Sequence, residues 1–221
     1  VDPFSAHIMD LSFILHAEHG GGNNSSFTTY VVTSSGTDIY SAITSAIASL
    51  KGPLHGAANK KVRQMMSDIK ENVSDWSNTN EITSYLEKII RKQAGDLSGK
   101  IYGLGHAVYT QSDPRAEAIK QVASQIAKKM NREKEYNLYL SIEKHGPNVF
   151  NKVKKSNKVI SPNVDFFSGF VYDCLDLPLE LYTPMFALGR CAGWCAHRIE
   201  ELLSGKRIIR PAYKFVDNNS L

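Results

Sequence analysis

Three histidines of this chain adjoin a glycine at a break in the helical sequence pattern, in the pairs His19-Gly20, His55-Gly56 and Gly105-His106. Glycine lets the backbone come close to a ligand, so a histidine in such a turn is better placed for chemistry than one on a helix face. An imidazole transfers protons near neutral pH and donates hydrogen bonds to carbonyl groups. Together, the three turns predict a functional site.

His16 and His19 are also spaced like a pair of metal ligands on one helix face, with Glu18 between them. Zinc sites use histidines three or four residues apart, but they need further ligands as well. The sequence offers no third ligand at a natural spacing. We therefore expect no metal site here.

Asp165 and Arg115 each follow a predicted helix start, at Asn163 and at Asp113. A helix N-terminus stabilises a carboxylate as an anion, so the local sequence alone favours a structural interpretation of Asp165. An isolated arginine is likewise most often a solvated surface side chain. Neither residue predicts chemistry without the wider pattern of motifs.

The elements that must position these residues are helices. One apolar face is formed by residues at helical spacing, namely Ile39, Ile43, Ala46, Ile47 and Leu50. This helix stops at Gly52-Pro53, with glycine past its end and proline beyond. A further helix is predicted over residues 82–90. The last long helix runs from about Pro184 to Leu203, and its small residues allow another helix to approach closely.

Two other helix starts carry a capping residue beside proline, at Asp113-Pro114 and at residues 161–163. Residues 28–33 are rich in β-branched side chains and fit either a strand or a helix. The polar stretches 72–80 and 151–158 are predicted surface loops. Neither strand alternation nor an internal repeat is found in the sequence, so the predicted fold class is all-α.

The composition is typical of a globular protein, since 42% of the 221 residues are hydrophobic and 22% are charged. The net charge is only +4 and the lysines are dispersed, so no nucleic-acid partner is expected. No apolar run reaches the roughly 20 residues that span a bilayer, so no membrane association is expected. Three cysteines predict no disulfide framework and favour a reducing, cytoplasmic location. The abrupt opening, VDPF, indicates a start inside a longer gene product.

Five segments with matched order and spacing carry a family resemblance: residues 52–59 (GPLHGAAN), 103–109 (GLGHAVY), 113–116 (DPRA), 163–169 (NVDFFSG) and 189–197 (GRCAGWCAH). In these segments the chain resembles the citrate synthase family. The resemblance covers essentially all 221 residues and corresponds to the second half of such an enzyme. It implies an acyltransferase that condenses acetyl-CoA with oxaloacetate and water, giving citrate and CoA.

The resemblance implies a role for each catalytic residue. Asp165 is expected to remove a proton from the acetyl methyl group, while His55 donates a hydrogen bond to the enol or enolate oxygen. His106 is expected to polarise the oxo group of the second substrate. No permanently bound cofactor is implied, and a coenzyme A thioester serves as co-substrate.

The family's binding residues match further positions of the chain. Residues expected to bind oxaloacetate are His19, Arg115, Arg190 and Arg210. The arginine that matches Arg210 reaches across from the other subunit in this family, which implies a homodimer. The backbone of Gly103, Leu104 and Gly105 is expected close to coenzyme A. His7, His145 and His197 match no functional position and are interpreted as structural or surface residues.

The family fold implies a division of the chain into two helical domains. Residues 1–56 and 164–221 are expected in a large domain and residues 57–163 in a small one that closes over the substrates. A 2-methylcitrate synthase that uses propionyl-CoA is an alternative, because one methylene discriminates by only ~1–3 kcal/mol. A third possibility is a fragment that binds ligands or assembles without turnover, since the family's amino-terminal half is missing.

Overall fold

The computed structural model describes residues 2–105, 113–205 and 207–212. His106, one of the predicted catalytic residues, lies outside the described residues. Within them the chain forms α-helices, one 3₁₀ turn and a single isolated antiparallel bridge between Leu104 and Pro162. The predicted all-α fold class is confirmed.

Nine α-helices lie in the described part of the chain: α1 (Pro3–His16), α2 (Asn24–Thr33), α3 (Ile39–Lys51), α4 (Ala58–Asn72), α5 (Thr79–Ile90), α6 (Pro114–Lys129), α7 (Glu133–Lys154), α8 (Val164–Cys174) and α9 (Tyr182–Ser204). The 3₁₀ turn, Leu179–Leu181, directly precedes α9. None of these described helices combines the length and apolar character needed to cross a membrane.

Short polar side chains start the helices on which the candidate site depends. The Asp113 carboxylate accepts a hydrogen bond from the backbone N–H of Arg115, and Pro114 occupies the first turn of α6. The Asn163 side-chain oxygen accepts from the backbone N–H of Asp165 at the start of α8. Such caps satisfy amides that have no partner inside the helix. Both predicted starts are confirmed.

In three parts of the chain the secondary structure differs from the prediction or decides between predicted alternatives. Residues 28–33 are helical, within α2, and the Thr29 hydroxyl donates to a carbonyl one turn earlier. The helix α7 (Glu133–Lys154) was not predicted, and it contains Pro147. Because α7 extends to Lys154, the predicted loop at 151–158 is half helical.

The helices pack in two groups. In one group, α4, α5, α6, α7 and α8 contact each other around the main apolar core. The other group packs α1, α2 and α3 against α9, and Trp194 of α9 is fully buried against α3. The aromatic side chains of α8 lie in the first core, so α8 packs with the helices of residues 57–163. The division into large and small domains stays a prediction.

Partly buried ion pairs tie α8 to α4 and α7. Asp173 on α8 accepts from Arg63 on α4 at 2.7 Å and also pairs with Arg132. Arg132 also pairs with Glu135 on α7. The ammonium group of Lys70 on α4 lies 2.7 Å from the same Glu135 carboxylate. Removing one partner would leave a poorly solvated charge, so the network fixes the mutual arrangement of these helices.

Two glycines on one face of α9 let α1 approach unusually closely. A Cβ atom on Gly189 would lie 3.1 Å from the Phe13 carbonyl oxygen. On Gly193 it would overlap the Ala17 carbonyl oxygen. Glycine is therefore required at position 193, where α9 passes the end of α1, and position 189 tolerates a side chain only if the neighbouring backbone shifts.

Candidate active site

A cavity of about 200 Å³ lies where the two groups of helices meet. Its lining comes from the loops before α2 and α4, the turn at 105, the starts of α6 and α8, and one face of α9. The lining residues are His19, Asn23, His55, Gly56, Ala58, Gly105, Arg115, Asn163, Val164, Asp165, Phe186 and Arg190. Five of the residues singled out for catalysis or oxaloacetate binding are therefore brought together.

His55 is held by Ser25 at the start of α2. The Nε2 atom of His55 lies 3.3 Å from the backbone N–H of Ser25, which donates to it, and 3.0 Å from the Ser25 hydroxyl. Because a backbone amide can only donate, Nε2 must accept, and the ring proton belongs on Nδ1. Burial lowers the pKa of His55, and the charge of Arg190 lowers it further, so the ring is neutral. A neutral imidazole protonated on Nδ1 can donate one hydrogen bond to a ligand.

Ser25, which no motif of the sequence marks, orients the His55 ring. Its side chain is completely buried, and its hydroxyl accepts a hydrogen bond from the indole Nε1 of Trp194 at 3.1 Å. The same hydroxyl lies 3.0 Å from the Asn23 side-chain oxygen. Nothing in the local sequence marks this serine, because His55 and Trp194 are 30 and 169 residues away.

Asp165 lies in the first turn of α8, at the wall of the cavity. A helix N-terminus normally stabilises an anion, but here burial dominates and raises the pKa of Asp165 to about 6. The guanidinium groups of Arg115 and Arg190 oppose that rise, while Asp113 adds to it. The carboxylate is therefore ionised at neutral pH and yet basic enough to accept a proton.

Arg190 is buried on α9, although arginines are usually solvated. Its Nε donates to the His16 carbonyl at 2.5 Å, and its guanidinium lies 4.6 Å from the ring centre of Phe186. Burial lowers the pKa of Arg190 to about 10, and the charge of Arg115 contributes to the shift. It remains a cation at neutral pH, held at the cavity wall by a carbonyl and an aromatic ring.

Arg115 reaches the cavity from the first turn of α6. Its Nε and Nη2 atoms donate to the two oxygens of Asp113 at 3.1 and 2.9 Å. Asp113 is fully buried, so this pairing fixes the plane of the guanidinium. Two cationic forks, Arg115 and Arg190, thus line one small cavity, an arrangement suited to carboxylate groups.

His19 lies at another wall of the cavity, in the loop after α1. Glu18 accepts hydrogen bonds from the backbone N–H groups of His19, at 2.7 Å, and of Gly20. His16, which is spaced from His19 like a second metal ligand, is buried and does not line the cavity. Its Nδ1 donates to the Ser12 carbonyl at 2.7 Å. Burial lowers the pKa of His16 to about 4, so this ring is neutral.

The glycine turn at 103–105 joins the first cavity to a second one of about 390 Å³. Gly103 and Gly105 have φ angles of 81° and 97°, a left-handed conformation that glycine adopts without strain. The backbone N–H of Asn163 donates to the Gly103 carbonyl at 2.9 Å and locks the turn beside α8. The second cavity is mainly apolar, with Lys100 and Lys158 at its border.

Of the described residues predicted for catalysis or oxaloacetate binding, Arg210 does not line the first cavity. His106 is outside the described residues. Arg210 is exposed, in the segment after α9, where the neighbouring Ile209 N–H donates to the Ser34 hydroxyl at 2.9 Å. Its guanidinium is not among the groups that surround Asp165 and His55.

Known proteins match this chain both in sequence and in structure. The family model described as "Citrate synthase, C-terminal domain" matches residues 1–212. A citrate synthase of Synechocystis sp. is 38% identical over 220 residues, which are 100% of this chain and 51% of that protein. A 2-methylcitrate synthase of Shewanella oneidensis is 35% identical over 209 residues, 95% of this chain and 50% of that protein.

Solved structures give a similar result. The crystal structure of citrate synthase from Pyrobaculum aerophilum matches with a TM-score of 0.78 and 31% identity, covering 100% of this chain and 51% of that one. The citrate synthase of Thermoplasma acidophilum, in a ternary complex with carboxymethyl coenzyme A and oxaloacetate, matches with a TM-score of 0.76 and 30% identity. That match covers 100% of this chain and 56% of the other. The chain thus spans about half the length of the relatives it matches.

Proposed function

Because this chain belongs to the citrate synthase family, we propose that the intact protein condenses an acyl-CoA thioester with oxaloacetate. The observation that carries the proposal is the single cavity lined by His19, His55, Arg115, Asp165 and Arg190. It combines a base of raised pKa, a neutral imidazole donor and two cations. Those are the groups that an enolisation beside a dicarboxylate requires.

In the proposed reaction, Asp165 removes a proton from the methyl carbon of the thioester. The Nδ1–H of His55 donates to the thioester oxygen, on which negative charge develops as the proton leaves. The pairing of His55 Nε2 with the Ser25 amide supports this role, because it leaves the Nδ1 proton available. The resulting enol or enolate carbon then attacks the oxo carbon of oxaloacetate.

Arg115 and Arg190 hold the two carboxylates of oxaloacetate in this proposal, and His19 bonds to the same substrate. His106 supplies the proton or hydrogen bond for the oxo oxygen as the new carbon–carbon bond forms. Water then cleaves the thioester and releases CoA, so one acetyl-CoA, one oxaloacetate and one water give citrate and CoA.

We place the coenzyme A chain in the second cavity, beside Gly103, Leu104 and Gly105. Its apolar wall suits the pantetheine arm, and Lys100 and Lys158 suit phosphate groups. The ternary complex of the Thermoplasma acidophilum enzyme contains carboxymethyl coenzyme A, which supports a coenzyme A thioester as co-substrate.

Propionyl-CoA is the second candidate acyl donor, because a 2-methylcitrate synthase is nearly as similar to this chain as the citrate synthases are. A third candidate is a chain that binds these ligands without turnover. The proposed homodimer, with Arg210 completing the site of the other subunit, agrees with the position of Arg210 away from the cavity of its own chain.

The test is a steady-state assay of the intact protein with acetyl-CoA or propionyl-CoA, following the CoA thiol with a thiol-reactive dye. We expect thiol release to require oxaloacetate and to fall about 10²–10⁴-fold in Asp165→Asn, since an amide cannot accept the proton. The ratio of kcat/KM for the two thioesters decides between the acyl donors. Oxaloacetate-dependent turnover that survives in Asp165→Asn would remove Asp165 from the mechanism.

A further inference from the structure

His197, which matches no functional position in the sequence analysis, lies between two carboxylates. Its Nε2 is 2.7 Å from Glu18, and its Nδ1 is 3.3 Å from Glu200 and 2.8 Å from the Tyr30 hydroxyl. The His197 side chain is only 12% exposed. A nearly buried imidazole with a carboxylate on each side is not a surface histidine, and it requires an explanation.

Glu18 links His197 to the loop that carries His19. One carboxylate oxygen of Glu18 contacts His197, and the other accepts the N–H groups of His19 and Gly20. Burial raises the pKa of Glu18, but the close contact with His197 and the hydrogen bonds from those two amides outweigh it and lower the pKa. The carboxylate therefore stays ionised and holds the peptide that leads His19 into the cavity.

Glu18 would not keep this position unaided. Its side chain is 45% exposed, and a solvated glutamate samples many rotamers. His197 contacts the second carboxylate oxygen of Glu18 and so restricts these rotamers. On the other side, the Tyr30 ring packs against Gly21, where a Cβ atom would lie 2.8 Å from the ring.

The helix α9 brings His197 to this place through its glycine face. Gly189, Gly193 and His197 are spaced four residues apart, so they share one face of α9. A Cβ atom on Gly193 would lie 2.8 Å from the Glu18 carboxylate. The same helix therefore holds the loop at two points, through Arg190 on the His16 carbonyl and through His197 on Glu18.

We propose that His197 is a positioning residue for binding the oxo dicarboxylate, acting through Glu18 on the backbone amides of His19 and Gly20. The inference rests on the proposed function for its effect on substrate. Its structural part, the order of the loop, is independent of turnover. His197 touches no reacting atom and should therefore affect binding more than the chemical step.

The first measurement compares His197→Leu, His197→Gln and Glu18→Ala in the intact protein. For His197→Leu and Glu18→Ala we expect KM for oxaloacetate to rise about ten-fold, the size of one lost polar contact with a charged group, with kcat within about two-fold. His197→Gln keeps a donor for Glu18 and should restore most of the affinity. Glu200→Ala is the matched control, since Glu200 contacts the same ring but not the loop, and it should leave KM unchanged.

The second measurement is residue-resolved hydrogen exchange without substrate. The His19 and Gly20 amides should exchange at least about ten-fold faster in His197→Leu than in the wild type, by the same lost bond, while those of α2 keep their rates. Unchanged exchange at both amides in His197→Leu and in Glu18→Ala would overturn the inference. If the variants show the expected exchange but the wild-type protein neither binds nor converts oxaloacetate, the proposed function is refuted and the loop contact stands.

Discussion

At the residue scale, Asp165 shows a conflict between stability and reactivity. The protein environment raises its pKa to about 6, which means that it favours the protonated form. At neutral pH the group is nevertheless ionised, so the folded state contains an unfavourable charge. A base with a pKa near the working pH is what proton abstraction requires. The cost falls on folding, and a neutral isostere at this position should remove it.

We therefore expect Asp165→Asn to stabilise the intact protein while it lowers turnover. Above about pH 6 the free energy of unfolding should rise by about 1–3 kcal/mol, because the folded state no longer holds an unfavourable charge. Below about pH 4 the carboxyl is protonated in both states, and the gain should vanish. Urea titrations from about pH 3.5 to pH 8 measure this, with the exposed Asp10→Asn as control. Equal or lower stability at pH 8 would contradict it.

His55 and Asp165 both act on the acyl-CoA in our proposal. Isotope exchange at its methyl group measures their step separately from the activation of the oxo acid. His55→Gln should slow exchange of the acyl-CoA methyl protons with solvent by about 10²-fold or more, since the donor to the developing oxyanion is displaced. Nuclear magnetic resonance of acetyl-CoA in deuterated buffer measures the rate. His106→Gln should instead weaken activation of the oxo acid. Normal methyl exchange in His55→Gln would assign its role to another group.

The residues of the candidate site could largely be predicted, but their partners could not. His19, His55, Arg115, Asp165 and Arg190 stand in recognisable motifs, and they line one cavity. The tautomer of His55 depends on Ser25, and the loop position depends on Glu18 and His197. These contacts join residues that are distant in the chain, and long-range pairing of that kind leaves no local sequence signal.

At the element scale, α9 organises the site through close helix packing. Its glycines bring the end of α1 against it, and its Arg190 and His197 then reach the backbone and side chain of that segment. Small residues on this helix were expected to admit a partner helix. The partner is the end of α1 in the same chain, which lies close to Gly189 and so close to Gly193 that a side chain would not fit.

Gly193→Ala tests this packing. Alanine is normally the better helix former by about 1 kcal/mol. Here its Cβ would overlap the Ala17 carbonyl oxygen, a backbone atom that cannot rotate away. We expect a net loss of about 1–3 kcal/mol in the free energy of unfolding, together with weaker oxaloacetate binding. Gly22→Ala, with no atom within 4 Å of its added Cβ, is the control and should be neutral. Chemical denaturation of both variants measures the difference, and equal stabilities would contradict the close approach.

Helices with capping residues and apolar periodicity could be predicted, whereas α7 could not. It starts without a side-chain cap and contains Gly146-Pro147, a pair that ordinarily indicates a break. Tertiary contacts override that signal, since Leu138, Tyr139 and Ile142 are fully buried in the core. A Cβ atom at Gly146 would lie 2.6 Å from the end of the Leu104 side chain, so this helix position packs closely against the glycine turn.

At the scale of the whole molecule, the cavity lies between two groups of helices. His19, His55 and Arg190 come from the group of α1–α3 and α9, while Arg115 and Asp165 come from the group of α4–α8. We propose that these groups are the portions that close over the substrates, with α8 moving together with α4–α7. The predicted boundary at residues 163 and 164 would then shift beyond Cys174, because α8 shares the ion pairs and the core of that group.

Subunit mixing tests the proposed homodimer in the intact protein. An Arg210→Ala subunit paired with an Asp165→Asn subunit forms one site with both defects and one with neither. After exchange, an equal mixture should regain about a quarter of wild-type activity, since half of the dimers are mixed and one site in each is sound. Mass spectrometry verifies the mixed dimers. No recovery in their presence would mean that Arg210 acts in its own chain or has no role.

The pairing of Arg115 with Asp113 has a consequence for the thermodynamics of binding. Arg115 and Arg190 carry two positive charges at this cavity, and Asp113 and Asp165 carry two negative ones, so these four described groups are already neutral together. A dianionic ligand then leaves an excess of negative charge, which raises the proton affinity of Asp165 and of nearby imidazoles. Oxaloacetate should therefore bind with uptake of part of a proton from solution at pH 7. Calorimetry in two buffers of different ionisation enthalpy would register it as a difference in apparent binding enthalpy, and equal enthalpies would mean that cations beyond the described residues balance the ligand.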